Sequence, residues 1–204
     1  MKVISFVTQK GGSGKTTLCI NCAIAAVRGR RRRVLILDMD NQRSAGNWYR
    51  QREEVEPQLA TITAAELPKA IVIAAKQFDF AFIDTPGRDE PAQASAIMQS
   101  DFCVIPCRPS PTDLQATPAT VATIKRLGKP FAFVLTQTPP RSFRVREASA
   151  ALSKLGDVCP IHIVTRNVYQ DAQGTGLGVI EFEPEGKAAD ETARLWQWIQ
   201  KKVK

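Results

Sequence analysis

Apolar residues arrive in short unbroken runs near 3–8, 34–38, 59–63, 79–84, 102–107, 131–136 and 161–165. Between them lie stretches of mixed polarity and helical length, near 16–28, 66–77, 91–100, 112–127, 143–155 and 187–203. A strand open to water on one face alternates apolar and polar residues. Val34-Leu35-Ile36-Leu37 and Phe80-Ala81-Phe82-Ile83 do not alternate, which predicts a sheet covered on both faces. Strand and helix exchanging from end to end predict a single doubly wound α/β domain over 1–204, mostly parallel, with helices on both faces. No repeat or low-complexity linker divides it, and Pro139-Pro140 marks a loop.

Ligands on such sheets bind beyond the carboxyl ends of the strands, and residues suited to a nucleotide fall there. Asp38 and Asp84 end two runs, Pro109 and Pro111 follow a third, and Thr136-Gln137 closes a fourth. The first run ends more informatively, in Lys10-Gly11-Gly12-Ser13-Gly14-Lys15-Thr16-Thr17. Three glycines let backbone wrap round an anion, and the helix that follows turns its free N–H groups inward. Lys15 suits the β- and γ-phosphates, and the Thr16 hydroxyl suits Mg²⁺. The plain G-x-x-x-x-G-K-[ST] pattern is not met, because Gln9 stands where its first glycine belongs. The deviant form K-G-G-x-G-K-[ST]-T is met, and it is far more specific.

That form resembles the ParA/MinD-type ATPases, which share the P-loop NTPase fold. Three further segments are similar to motifs of that family, in its order. Val34–Gln42 looks like its second motif, D-x-D-P-Q, with Asn41 in place of the proline. Phe80–Pro86 looks like its Walker B strand, and Arg108–Leu114 like the proline-rich segment over the adenine. The resemblance covers the whole chain and is nearest to the short plasmid-partition ATPases. It implies ATP and Mg²⁺ as ligands and slow, partner-stimulated ATP hydrolysis. Residues Gly11 to Thr17, with Pro109, Pro111, Thr136 and Gln137, would bind the nucleotide. Thr16, Asp38 and Asp84 would serve the metal ion. Lys15 and Asp40 would be catalytic, with Asp40 orienting the attacking water. Lys10, also catalytic, would reach the nucleotide of a facing subunit, making ATP part of a homodimer interface. The base is expected to be adenine, since Leu135-Thr136-Gln137-Thr138 lacks the N-K-x-D aspartate that reads guanine.

Charge adds a second clue. The net charge is +8, an excess that suits a polyphosphate backbone. Its densest run is Arg30–Arg33 after Gly29, a plausible helix C′ residue; further cations include Arg141, Arg144, Arg146, Lys154, Arg166, Lys201, Lys202 and Lys204. A solvated loop, or a helix terminus, explains the Arg30–Arg33 run equally well. By resemblance, non-specific DNA would meet the C-terminal third, at Arg166 and more weakly Lys187. A structural ion pair is an equal reading for Arg166.

The remaining composition mostly excludes. With no signal-peptide layout and no membrane-spanning run, the chain is expected to be cytoplasmic and, if it holds DNA, nucleoid-associated. Cys19, Cys22, Cys103, Cys107 and Cys159 sit in apolar surroundings, as small buried residues do. His162, between Ile161 and Ile163, reads as a strand residue. Three functions compete. The first is a partition or positioning ATPase with a ParB-like or cargo-adaptor partner. The second is a MinD-type membrane ATPase, for which Leu195, Trp196, Trp198, Ile199 and Val203 with Lys201, Lys202 and Lys204 would form a basic amphipathic helix. The same stretch reads equally as a final helix packed on the sheet. The third is a metabolic enzyme or metallocluster carrier, and a carrier would need exposed cysteines.

Overall fold

The computed structural model describes residues 1–30, 32–87, 90–140 and 142–203. Of the expected basic residues, Arg31, Arg141 and Lys204 lie outside them, as does the Arg30 side chain. One sheet of seven parallel strands runs in the order β3-β2-β4-β1-β5-β6-β7. The strands are β1 (Lys2–Phe6), β2 (Val34–Asp38), β3 (Gln58–Thr61), β4 (Phe80–Asp84), β5 (Phe102–Cys107), β6 (Phe131–Leu135) and β7 (Asp157–Val158). The helices are α1 (Lys15–Arg30), α2 (Ser44–Arg50), α3 (Leu67–Ala74), α4 (Glu90–Gln99), α5 (Pro111–Arg126), α6 (Phe143–Ser153), α7 (Val168–Gly174), α8 (Val179–Phe182) and α9 (Lys187–Lys202).

Unbroken apolar strands work here because both faces are covered. Ile4, Phe6, Ile36, Phe82, Val104 and Val134 face α1 and α9. Val3, Leu35, Leu37 and Ile83 face α3 and α4, while Ile105, Phe133 and Leu135 face α4, α5 and α6. The amphipathic C-terminal stretch packs on the sheet: Leu195, Trp196, Ile199 and Val203 are buried, and Trp196 meets Phe80 edge-on at 5.1 Å. Its apolar face is consumed by the core.

Two local expectations are corrected. Residues 161–165 form no regular strand; the seventh strand is Asp157–Val158, and His162 lies half-buried after it. Pro160 has no N–H to give a ladder. Cys159 N–H reaches Phe133 O and Ile163 N–H reaches Leu135 O, so four residues span what β6 covers in two, and Pro160–His162 bulges. Gly29 does not end the first helix, which continues through it to Arg30. Helices α2, α7 and α8, each seven residues or fewer, have no counterpart among the expected elements.

Candidate nucleotide site

β1 stands between β4 and β5, where successive crossovers diverge to opposite sides of the sheet. A crevice opens there beyond the strand ends. It is a cavity of about 740 Å³ lined by Gly11 to Thr17, by Asp40, Asn41, Gln42 and Ser44, and by Pro86, Gly87, Gln137 and Gln173. Gly12 (φ 70°) and Gly14 (φ 94°) take the left-handed backbone that bends the loop. Helix α1 starts at Lys15 with no acidic residue in its first turn, so nothing competes with an anion there.

The loop is held from outside. Ser13 Oγ donates to Lys10 O at 3.2 Å, and the Lys15 ammonium reaches the same carbonyl at 3.4 Å. From the end of β6, Thr136 donates to Ser13 O and Gln137 Nε2 donates to Gly12 O, both at 2.7 Å. Gln137 does so at φ 48°, a strained conformation for a non-glycine residue, and such strain collects at functional sites. Buried Gln93 of α4 donates to Thr8 O and Pro86 O, tying the exit of β1 to that of β4. Thr85 donates to Phe6 O at 2.7 Å and completes that tie.

Parallel register sets Asp38 and Phe6 on either side of Asp84, on three adjacent strand ends. Asp38 is buried, and its two oxygens accept from Asp40 N–H and Gly46 N–H, both at 3.0 Å. It therefore fixes the turn that carries Asp40 and secures the first turn of α2. Burial raises its carboxyl above the usual range, against the pull of those two amides. Asp40 is half-buried on the cavity wall. Asn41 and Gln42 follow it, and Arg43 turns the chain at φ 51°.

Asp84 is completely buried, and neither of its oxygens has a hydrogen-bond partner. Burial pushes it up to about 7, opposed by the nearby Thr16 hydroxyl and Lys15 and reinforced by Asp38 and Asp40. Burial also lowers Lys15, while Asp84 and Asp40 draw it back up. An orphaned carboxylate beside a threonine hydroxyl at a phosphate loop is what a hydrated Mg²⁺ fits. Among the described residues no group of three or more His, Cys, Asp or Glu could hold a metal. Mg²⁺ needs none, since it keeps its waters and takes its other ligands from phosphates.

Not every expected residue reaches the cavity. Pro109 and Pro111 are absent from its wall; Pro111 begins α5 and Ser110 caps it, while Arg108 and Asp113 pair at 2.9 Å. A second hollow of about 190 Å³ adjoins the loop instead, sharing Gly14, Thr17 and Gln137 with the first. Leu18, Ile163, Val164 and Tyr169 give it apolar walls of the kind a base requires. Arg166 lines this hollow and pairs with Glu191 at 2.5 Å. Lys187 is exposed at the start of α9. Lys10 lies beside the cavity and not on its wall. Gln42 and Pro86 stand inside the recognised motifs, whereas Gln173 comes from α7 and carries no sequence signal. All five cysteines are buried, and burial raises every thiol, Cys103 and Cys159 to about 11 and Cys107 to about 12.

Comparison with known proteins agrees with this geometry. Residues 4–179 match the CobQ/CobB/MinD/ParA nucleotide binding domain. The chain is 32% identical over 203 residues to the maintenance of carboxysome distribution protein A of Halothiobacillus neapolitanus, covering 94% of this chain and 93% of that one. Apo McdA from Cyanothece superposes with a TM-score of 0.81 at 16% identity, each chain covered completely. The septum site-determining protein MinD of Pyrococcus horikoshii, complexed with Mg-ADP, superposes with a TM-score of 0.77 at 22% identity, with 98% of this chain and 96% of that one covered. The chain belongs to the CobQ/CobB/MinD/ParA nucleotide-binding family, as a ParA-type member with the deviant phosphate loop.

Proposed function

We propose that the protein is a ParA-type positioning ATPase: an ATP-dependent homodimer that holds DNA without sequence preference and lets go when a partner on its cargo stimulates hydrolysis. One observation carries the reading. A phosphate loop and Asp40 share one cavity, the orphaned carboxylate of Asp84 is buried behind it beside Lys15 and Thr16, and Lys10 of the same loop lies beside the cavity. A lysine so placed serves a nucleotide presented by a second copy. ATP binding then favours association by its own differential affinity, and hydrolysis reverses it.

In this site Lys15 and the loop amides hold the phosphates, and Thr16 with Asp84 would hold Mg²⁺, Asp84 through water. The ion would neutralise charge on the phosphate oxygens. Asp38 positions the turn and supports the ion's water shell; Asp40 orients the attacking water. Positioning suffices, because the loose transition state of phosphoryl transfer asks for little early proton removal. The adenine would lie in the hollow behind Gln137. The name of the Halothiobacillus relative favours a protein assembly as cargo over a plasmid, with a cargo-adaptor protein in the ParB-like role. Such a switch would work in the cytoplasm, on the nucleoid. Lys187 is a candidate phosphate contact, while Arg166 is engaged by Glu191. The membrane alternative is disfavoured by the burial of Leu195, Trp196 and Ile199. Among the described residues no helix is long and apolar enough to cross a membrane.

Filter binding of long, unrelated duplexes across a salt series tests this. The ATP-bound protein should bind all of them alike, and much more tightly than nucleotide-free protein. The log–log slope should be about −0.9 per phosphate neutralised. Equal binding in both nucleotide states, or a flat salt response with vesicle binding in its place, would refute it.

A further inference from the structure

The nucleotide site uses little of the chain's positive charge, and much of the rest gathers at the opposite end of the sheet. Lys2 opens β1, Arg32 and Arg33 precede β2, and Lys129 precedes β6. Lys125 and Arg126 end α5, Lys154 follows α6, and Lys201 and Lys202 end α9. Helix dipoles favour cations at helix C-termini, which accounts for Arg32 and Lys129 just beyond the ends of α1 and α5, but not for Lys2 at the start of β1. The carboxylates around the start of β1 and β2 are already engaged. Asp79 accepts from Arg33 N–H, Asp101 from Val3 N–H and Glu56 from Val34 N–H, at 2.9, 2.7 and 3.2 Å. Asp157 pairs with Lys202, and Glu181 with Arg52, leaving Arg28 at 4.0 Å from it.

A groove crosses this end between α1 and α9, as two adjoining hollows of about 570 and 330 Å³ that share Arg32, Gln197 and Gln200. Lys2 and Lys201 border one hollow and Arg28 the other. Arg32 lies over the Phe80 ring at 5.0 Å, and assigning the Gln200 amide with its oxygen toward the guanidinium gives Arg32 an acceptor that holds it in place. Arginine, lysine and glutamine donors suit phosphate oxygens. The nearby rings, Phe80 and Trp196, are buried and offer no face on which a base could stack.

We propose that this groove, with Lys2, Arg28, Arg32 and Lys201, holds the phosphate backbone of duplex DNA. The proposal rests on the DNA-binding reading above and adds its location, at the end of the domain opposite the nucleotide. In a dimer joined through its nucleotide ends the two grooves lie at opposite extremities. The gain from ATP then requires a duplex long enough to reach both, or two duplexes.

Binding of a long duplex to the ATP-bound protein, over a salt series, tests the location with the full chain. Lys2→Glu/Lys201→Glu is the main variant, because both side chains are exposed. Arg32→Gln is the second, and Lys69→Glu, an exposed position on α3 that borders neither the groove nor the nucleotide site, is the comparison. Light scattering on each sample checks that the ATP-dependent dimer still forms. Loss of two phosphate contacts in each groove should weaken binding about 60-fold at 0.1 M salt and flatten the slope by about 1.8 for each groove engaged, for every sequence alike. Arg32→Gln should lose about 8-fold for each groove engaged, one contact's worth in each, and Lys69→Glu should stay within about twofold of the unaltered protein. If the double variant dimerises and binds duplex as the unaltered protein does, the location is wrong and the DNA-binding reading stands. If the unaltered dimer binds no duplex, both fall. If the double variant loses only a polyglutamate peptide and keeps duplex, the groove serves an acidic protein and the proposal is overturned.

Discussion

Asp84→Asn should change how stability depends on pH more than stability itself. Burial holds the Asp84 carboxyl at about 7, against an ordinary value of 3.8. The folded protein thus keeps a proton that the unfolded chain has released. A group raised in this way contributes stability that is complete below about 4 and lost as pH rises through about 7. Three pKa units correspond to about 4 kcal/mol as an upper bound. Relaxation around the buried carboxyl reduces this, so a loss of about 1.5–3 kcal/mol between pH 4.5 and 8 is expected. In the Asp84→Asn variant that contribution is absent. Asp38, raised in the same direction by its own burial, contributes to both proteins, and its coupling to Asp84 belongs to the difference measured. The assay is urea unfolding without nucleotide or Mg²⁺, at half-unit steps of pH. The two proteins should be of similar stability near pH 4 and diverge toward pH 8, with Asp84→Asn the more stable. Each kcal/mol is worth about 2–4 °C of melting temperature in a domain of this size. Parallel pH profiles for the two proteins would refute the claim that burial outweighs Thr16 and Lys15 in raising Asp84.

Other expectations follow from the same contacts. Lys15→Ala should keep the fold and lose ATP binding measured by calorimetry, since the ammonium contributes a contact to phosphate and little to the core. Arg52, 2% exposed and paired at 2.8 Å with Glu181, 8% exposed, joins α2 to α8. Arg52→Ala strands that carboxylate and should cost about 3–5 kcal/mol in urea unfolding, whereas Arg194→Ala, on an exposed i,i+4 pair, should change stability by less than about 0.5 kcal/mol.

The parts of this structure that could be read from the sequence are those set by local chemistry. Continuous apolar runs required a two-faced parallel sheet, and the glycines and lysines of residues 10–17 required a phosphate loop at the end of β1. Asp38, Asp84 and Thr136-Gln137 were placed because a strand end is a local event. The rest depends on distant chain. Gln173 reaches the cavity from α7, a seven-residue helix too short to show periodicity. Gln93 ties two loops together from α4 and looks like any polar helix residue in sequence. Pro109 and Pro111 fit an adenine wall and a helix start equally well, and α5 uses Pro111 for the second purpose. The bulge at Pro160 leaves Ile161-His162-Ile163 with strand-like composition but no ladder. The destination of Arg166 turned on Glu191, twenty-five residues away.

The central claim is that ATP joins two copies and that Lys10 completes the partner's site. Light scattering with ATP and Mg²⁺ measures this directly. Nucleotide-free protein should have the monomer mass of 22.4 kDa, and Asp40→Ala, able to bind ATP but not to orient water, should hold steadily at twice that mass. Lys10→Ala should bind ATP and remain at the monomer mass. A Lys10→Ala dimer indistinguishable from that of the unaltered protein, or an Asp40→Ala protein that stays monomeric with ATP bound, would contradict the account.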